Sequence, residues 1–129
     1  MSGQSRNAPV RSYLDLIVWQ RALDLAENVY EATRKFPKEE IYGITSQMRR
    51  AAVSVPANIA EGMARNSTKE LLQFLVVARG SLSELDTHLV LSRELGFANS
   101  TKEVEDQLDR VFGLIGGLIN SHRKSSGQG

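Results

Sequence analysis

Residues 49–62, "RRAAVSVPANIAEG", read as a helix with two features that a helix facing only water avoids. Pro56 stands in its middle, where it removes the hydrogen bond to the Ala52 carbonyl and crowds the preceding turn, at a cost of about 3 kcal/mol in an ordinary helix interior. At about 100° per residue, Gln47, Arg50, Ser54, Asn58, Glu61 and Arg65 share one polar sector. Ile41, Thr45, Met48, Ala52, Val55 and Ile59 form a second, apolar sector. Val53, Ala57, Ala60 and Ala64 form a third, all small, which another backbone can approach closely. Pro56 either opens a second short helix after a break or lies in one continuous helix, from about residue 39 to 64, kinked at the proline. In the continuous reading the polar stripe supplies a partner for the freed carbonyl. The stripe itself is either a solvated face, with Glu61–Arg65 an ordinary i,i+4 pair, or a hydrogen-bonded contact. Ser and Asn favour the contact, because their short side chains compete for backbone groups and are poor choices for a face meant only for water.

Outward from this stretch, three more segments carry helical periodicity. The first spans about residues 14–35, with Trp19, Ala22, Ala26, Val29 and Thr33 as its stripe, and ends at Phe36-Pro37, since proline disfavours helical geometry in the residue before it. The third opens with Ser67 and Glu70, spaced as a capping box. Its stripe is Leu71, Leu75, Ala78, Leu82, Leu85 and Leu89, and Gly96 is placed to end it in a left-handed conformation. The fourth opens with Ser100 and Glu103, a second capping box, and its stripe is Val104, Leu108, Val111, Ile115 and Leu118. Each segment is at least twenty residues, roughly 30 Å of helix. Short connections between long helices make consecutive helices antiparallel neighbours. The expected fold is all-α: an antiparallel up-down-up-down four-helix bundle over residues 13–123, with helix two kinked at Pro56. The Ser-, Gly-, Asn- and Gln-rich ends, 1–12 and 124–129, read as disordered tails.

Composition agrees. With 129 residues the chain suffices for one domain and one core. Aromatics at 6% and only 3 prolines lean away from a β-sandwich. The net charge of +1 implies no strong nonspecific nucleic-acid binding by a single chain. The absence of cysteine excludes disulfides and thiolate metal sites. The apolar runs "LLQFLVVA" and "VFGLIGGLI" are too short to span a bilayer, and the polar N-terminus lacks a signal-peptide core, so a cytoplasmic protein with no membrane partner is expected.

On the third segment Glu70, Gln73, Ser81, Glu84 and His88 lie away from the leucines, and its acids are placed to meet Arg50 and Arg65, within a subunit or between subunits. Val18, Leu25 and Ala32 on the first segment, with Leu72, Val76, Val90 and Leu91 on the third, form second apolar faces that a lone bundle does not need, which favours self-association. Gly80 and Ser81, and Gly113, Gly116 and Gly117, invite close helix packing. No enzyme, cofactor, metal or small-molecule substrate is expected. A di-iron bundle needs two Glu-x-x-His pairs, whereas the only histidines are His88 and His122 and Glu84 precedes His88 by four. Phosphate-loop, nucleophile-elbow and zinc patterns are missing, and Ser81 has no nearby His and Asp to activate it.

The stretches "VWQRALDL" (18–25), "VYEATRKFPKEEIYGITSQMRRAAVSVPANIAEG" (29–62), "ARNSTKELLQFLVVARGSLSEL" (64–85) and "LSRELGF" (91–97) together resemble the four-helix-bundle proteins of the 23S rRNA intervening-sequence family. The resemblance covers roughly residues 14–120 and is densest from Tyr42 to Gly62. It implies a ring-like homopentamer and kinship with the accessory proteins of diversity-generating retroelements, and it does not imply an enzyme. The matching residues that become candidates for an interface or binding site are Gln47, Arg49, Arg50, Ser54, Asn58, Glu61, Arg65, Glu70, Arg79, Ser81 and Glu84. Two functions follow as expectations: a homo-oligomeric scaffold associating with RNA or a nucleoprotein, or a protein–protein interaction module with no nucleic-acid role. The basic groups Arg49, Arg50 and Arg65 and His122-Arg123-Lys124 support the first, although no aromatic residues are interleaved with them in sequence, as single-strand readers would have.

Overall fold

Four helices account for nearly all of the described chain: α1 (Tyr13–Thr33), α2 (Ile44–Met63), α3 (Thr68–Glu94) and α4 (Lys102–Ser125), with a single 3-10 turn, Lys38–Glu40, between α1 and α2. The computed structural model describes residues 12–98 and 101–125. Among these there is no strand, so the all-α expectation holds. The expected tails fall outside the described residues except at their inner edges, where Ser12 caps α1 and α4 runs on to Ser125.

Helix ends follow local chemistry. Ser12 and Ser67 are N-caps whose hydroxyls accept from the backbone N–H of Asp15, at 3.2 Å, and of Glu70, at 3.1 Å, satisfying donors that the first turn leaves open. Gly96 adopts φ 77° one residue past the α3 C-cap. The N–H of Phe97 bonds the Ser92 carbonyl at 2.9 Å and that of Gly96 the Arg93 carbonyl at 3.0 Å, the paired bonds of a Schellman motif. Ser100, expected to cap α4, lies outside the described residues. Thr101 immediately precedes α4 and donates its hydroxyl to Glu105.

Each helix packs on two others. α2 lies against α1 and α3, α4 against α1 and α3, and the diagonal pairs do not meet. Ser54 of α2 meets Ser81 of α3, while Gly62 faces Leu71 and Phe74, so these two helices run antiparallel. Asn28 meets Gln107 at 2.7 Å and Asp15 meets His122 at 3.6 Å, which sets α1 antiparallel to α4. α2 is one unbroken helix with Pro56 inside it and buried, which removes the reading in which Pro56 starts a separate helix.

The core stripes of α2, α3 and α4 are buried as read, apart from Ile41. Ile41 is 46% exposed, because the chain is still turning at residues 41–43 and α2 begins only at Ile44. On α1, Ala22, Ala26, Val29 and Thr33 are buried as read, and the correction concerns Trp19 and the outer face. Val18 and Leu25, expected on an outer face, are fully buried, and Trp19, expected in the core, is only partly so. α1 packs on both α2 and α4, so its buried sector is wider than one stripe and shifted from Trp19 towards Val18. Leu72 is buried too, whereas Val76, Val90 and Leu91 stay exposed as expected.

The α3–α4 corner is clasped by Glu105, which accepts from Thr101 and from Arg93 of α3. The Thr101 hydrogen bond first, then the hydrogen bond and charge of Arg93, hold its carboxyl below the ordinary 4.5. A carboxyl lowered by folding stabilises in its ionised form. Its contribution is present above about pH 4.5 and disappears as pH falls through the lowered value. Glu105→Gln is therefore expected to be less stable than the parent in urea at pH 7, and the gap should close on acidification below about pH 4.5. A pH-independent gap would show that the clasp acts through packing alone.

Candidate interface site on the second and third helices

The polar stripe of α2 divides into three arrangements. Its centre lies against α3. The hydroxyls of Ser54 and Ser81 are 2.8 Å apart, and Asn58 donates to the Ser54 hydroxyl at 2.9 Å and to the Ser54 carbonyl at 2.8 Å. All three residues are half-buried. Short side chains are required here because longer ones would push the helices apart, which explains the otherwise unfavourable Ser and Asn. The expected service to the carbonyl freed by Pro56 is not what Asn58 provides: it bonds Ser54, two residues beyond Ala52.

One end of the stripe closes on itself. Glu61 and Arg65 form the i,i+4 pair, and the Arg65 guanidinium lies over the Phe74 ring of α3, 4.8 Å from its centroid. At the other end, Arg50 donates to Gln47 at 2.6 Å and is exposed. The expected meeting of Arg50 and Arg65 with the acids of α3 does not occur within the chain. Glu84 is exposed beside His88, at 3.4 Å, and Glu70 is exposed in the first turn of α3. Arg79 is half-buried on α3.

Arg49 faces the other way, towards α1. Its Nε donates to the Thr33 hydroxyl at 2.9 Å, an Nη2 hydrogen reaches the Tyr30 carbonyl at 3.4 Å, and its guanidinium lies over the Tyr30 ring at 4.7 Å. This arrangement was not legible from basic residues alone, since Tyr30 and Thr33 precede Arg49 by 19 and 16 positions. The signal was topological: the α1–α2 connection, residues 34–43, brings Tyr30 and Thr33 opposite Arg49.

The exposed residues of α2 and α3 are mixed: charged ones such as Glu61, Lys69 and Glu84 stand with small and apolar ones. Ala57 and Ala64 on α2 are exposed, as are Val77 (51%) and Gly80 on α3. The close packing expected at the glycines is absent among the described residues: a Cβ at Gly80, Gly113, Gly116 or Gly117 would meet none of them within 4 Å. Gly62 is the opposite case, buried with its Cα pressed against α3.

Among the described residues no three His, Asp or Glu side chains gather as a metal site would need, and no helix is long and apolar enough to cross a membrane. The fold and site therefore define a helical bundle whose distinctive residues lie at helix–helix contacts and on its outer faces. The family model described as 23S rRNA-intervening sequence protein matches residues 14–117, and the chain belongs to that family. Among curated proteins, none matches the chain.

Proposed function

We propose that this protein is a non-enzymatic cytoplasmic scaffold that assembles with copies of itself, as the ring-like pentamer its family resemblance implies, and associates with RNA or a nucleoprotein. The observation that carries the assembly is the exposure of small and apolar residues on two neighbouring helices, Ala57 and Ala64 of α2 and Val77 and Gly80 of α3. A glycine inside a helix costs up to about 1 kcal/mol relative to alanine. At Gly80 no atom of the described residues lies where a methyl would stand, so a close neighbour from outside is the physical reason to have a glycine there. The family's printed description, which names 23S rRNA, is the support for the RNA association.

The test is native mass by light scattering on a sizing column at low and high salt. One chain is 14.3 kDa, so a pentamer should elute near ~70 kDa. An apolar interface should survive high salt, which weakens only exposed ion pairs. A species of single-chain mass at both salts would overturn the assembly.

A further inference from the structure

The start of α2 and the end of α1 border an open groove of about 560 Å³, lined by Tyr30, Ile41, Arg49, Arg50, Val53 and Ser54 among others. That is within the range of small-ligand sites. Its two arginines differ from the others near the bundle's corners. Arg34, Arg65 and Arg93 each face a carboxylate. Arg49 and Arg50 are held by neutral groups instead, the first by Thr33 and Tyr30, the second by Gln47. Thr33 is itself fixed, being 3% exposed with its hydroxyl donating to the Val29 carbonyl at 2.8 Å. Arg49 is thus oriented by neutral partners, and it lines the groove. Two oriented guanidinium groups suit the oxygens of a phosphate. Tyr42 is not part of the groove's lining but follows the groove-lining Ile41 in the chain and stands 94% exposed. A tyrosine kept almost wholly in water gains little from the fold, and an aromatic face next to a phosphate site is what an unstacked base requires. Glu40, the acid nearest in the turn, accepts from the Ile44 N–H at 3.4 Å and so is drawn to the N-terminus of α2.

We propose that this groove binds single-stranded RNA, with a backbone phosphate on Arg49 and Arg50 and a base stacked on Tyr42. The proposal rests on the RNA-associated reading above and supplies the aromatic partner that the linear order of residues hides. A duplex is disfavoured, because its bases are already stacked and cannot reach Tyr42.

The experiment is fluorescence anisotropy with a labelled short oligouridylate and with an RNA duplex of equal length, titrated with the full chain across a series of salt concentrations. Arg50→Gln and Tyr42→Ala alter exposed side chains and should leave the fold intact, which circular dichroism checks. The single strand should bind more tightly than the duplex. Tyr42→Ala should weaken it about tenfold with the salt slope unchanged, because stacking releases no counterion. Arg50→Gln should weaken it and reduce the salt slope by about 0.7 for each phosphate that is no longer neutralised. Wild-type binding that neither variant alters would overturn the groove and leave RNA association intact elsewhere. No binding by the wild type at low salt would overturn both. A changed native mass in Arg50→Gln, without RNA binding, would reassign the groove as a contact with a second copy and overturn the proposal.

Discussion

Gly62→Val is expected to cost the bundle about 2–3 kcal/mol and lower its melting temperature by roughly 10 °C. A Cβ at Gly62 would stand 3.0 Å from Cβ of Phe74, 3.1 Å from Cδ1 of Leu71 and 3.2 Å from the Leu71 carbonyl oxygen. The first and third of these atoms cannot rotate away, one fixed by its own backbone and the other part of it. Leu71 is fully buried, so its side chain has no open space to turn into either. Valine adds two methyl groups beyond Cβ, so α2 and α3 must separate at the corner where Arg65 also lies over Phe74. Gly80→Ala is the matched control, because it adds its methyl where no atom of the described residues lies within 4 Å. It should raise the stability of an isolated bundle by up to about 1 kcal/mol through helix propensity. Thermal unfolding of both variants reads the contrast. Equal melting temperatures for Gly62→Val and the parent would mean that the two helices do not approach this closely.

The same contrast shows what the sequence could and could not disclose. Both glycines sit in helical stretches with similar neighbours, "IAEGMA" and "VARGSL", and nothing local separates one pressed by a helix from one facing outward. Periodicity served well where a helix has a single strong stripe. The six apolar positions of α3 and the five of α4 are all buried, since large leucines and isoleucines alternate there with charges. On α1, whose apolar residues run almost all the way round, it placed Ala22, Ala26, Val29 and Thr33 correctly but not Trp19, Val18 and Leu25. The largest of them, Trp19, drew the stripe one residue away from Val18, which the contacts with α2 and α4 jointly bury. The polar stripe was legible as residues reserved for contact, and Ser54, Asn58 and Ser81 do meet across α2 and α3. Its ionic complement was not legible. Pairing Arg50 with Glu84 assumed that opposite charges on neighbouring helices find each other. Local partners, Gln47 and His88, lie only three and four residues away. The groove at Arg49 depends on the α1–α2 turn, so it emerges only once the helices are placed.

Carboxylates at Ala57 and Val77 together are expected to reduce the assembly to single chains, a fall in native mass from about 70 kDa to 14.3 kDa. Both side chains face solvent in the isolated bundle, so Ala57→Asp and Val77→Asp should each change its stability by only about 0.5 kcal/mol. Between subunits the energetics differ. An ionised carboxylate without a partner, shut between apolar surfaces, costs several kcal/mol. Two such groups per subunit exceed what an interface of small side chains gains from apolar burial. Neither residue lines the groove at Arg49, so RNA binding by the separated chains reports on that groove independently. Gly80→Ala sharpens the reading, because its two effects have opposite signs. It should stabilise the separated chain, yet weaken the assembly if a neighbour's backbone occupies the space that its methyl would fill. Light scattering combined with urea unfolding of the same samples distinguishes the cases. A fall in mass with unchanged unfolding of the separated chain places the subunit contact on this face. Unchanged mass in the double variant would move the contact to another surface and leave the exposed Gly80 without a physical reason.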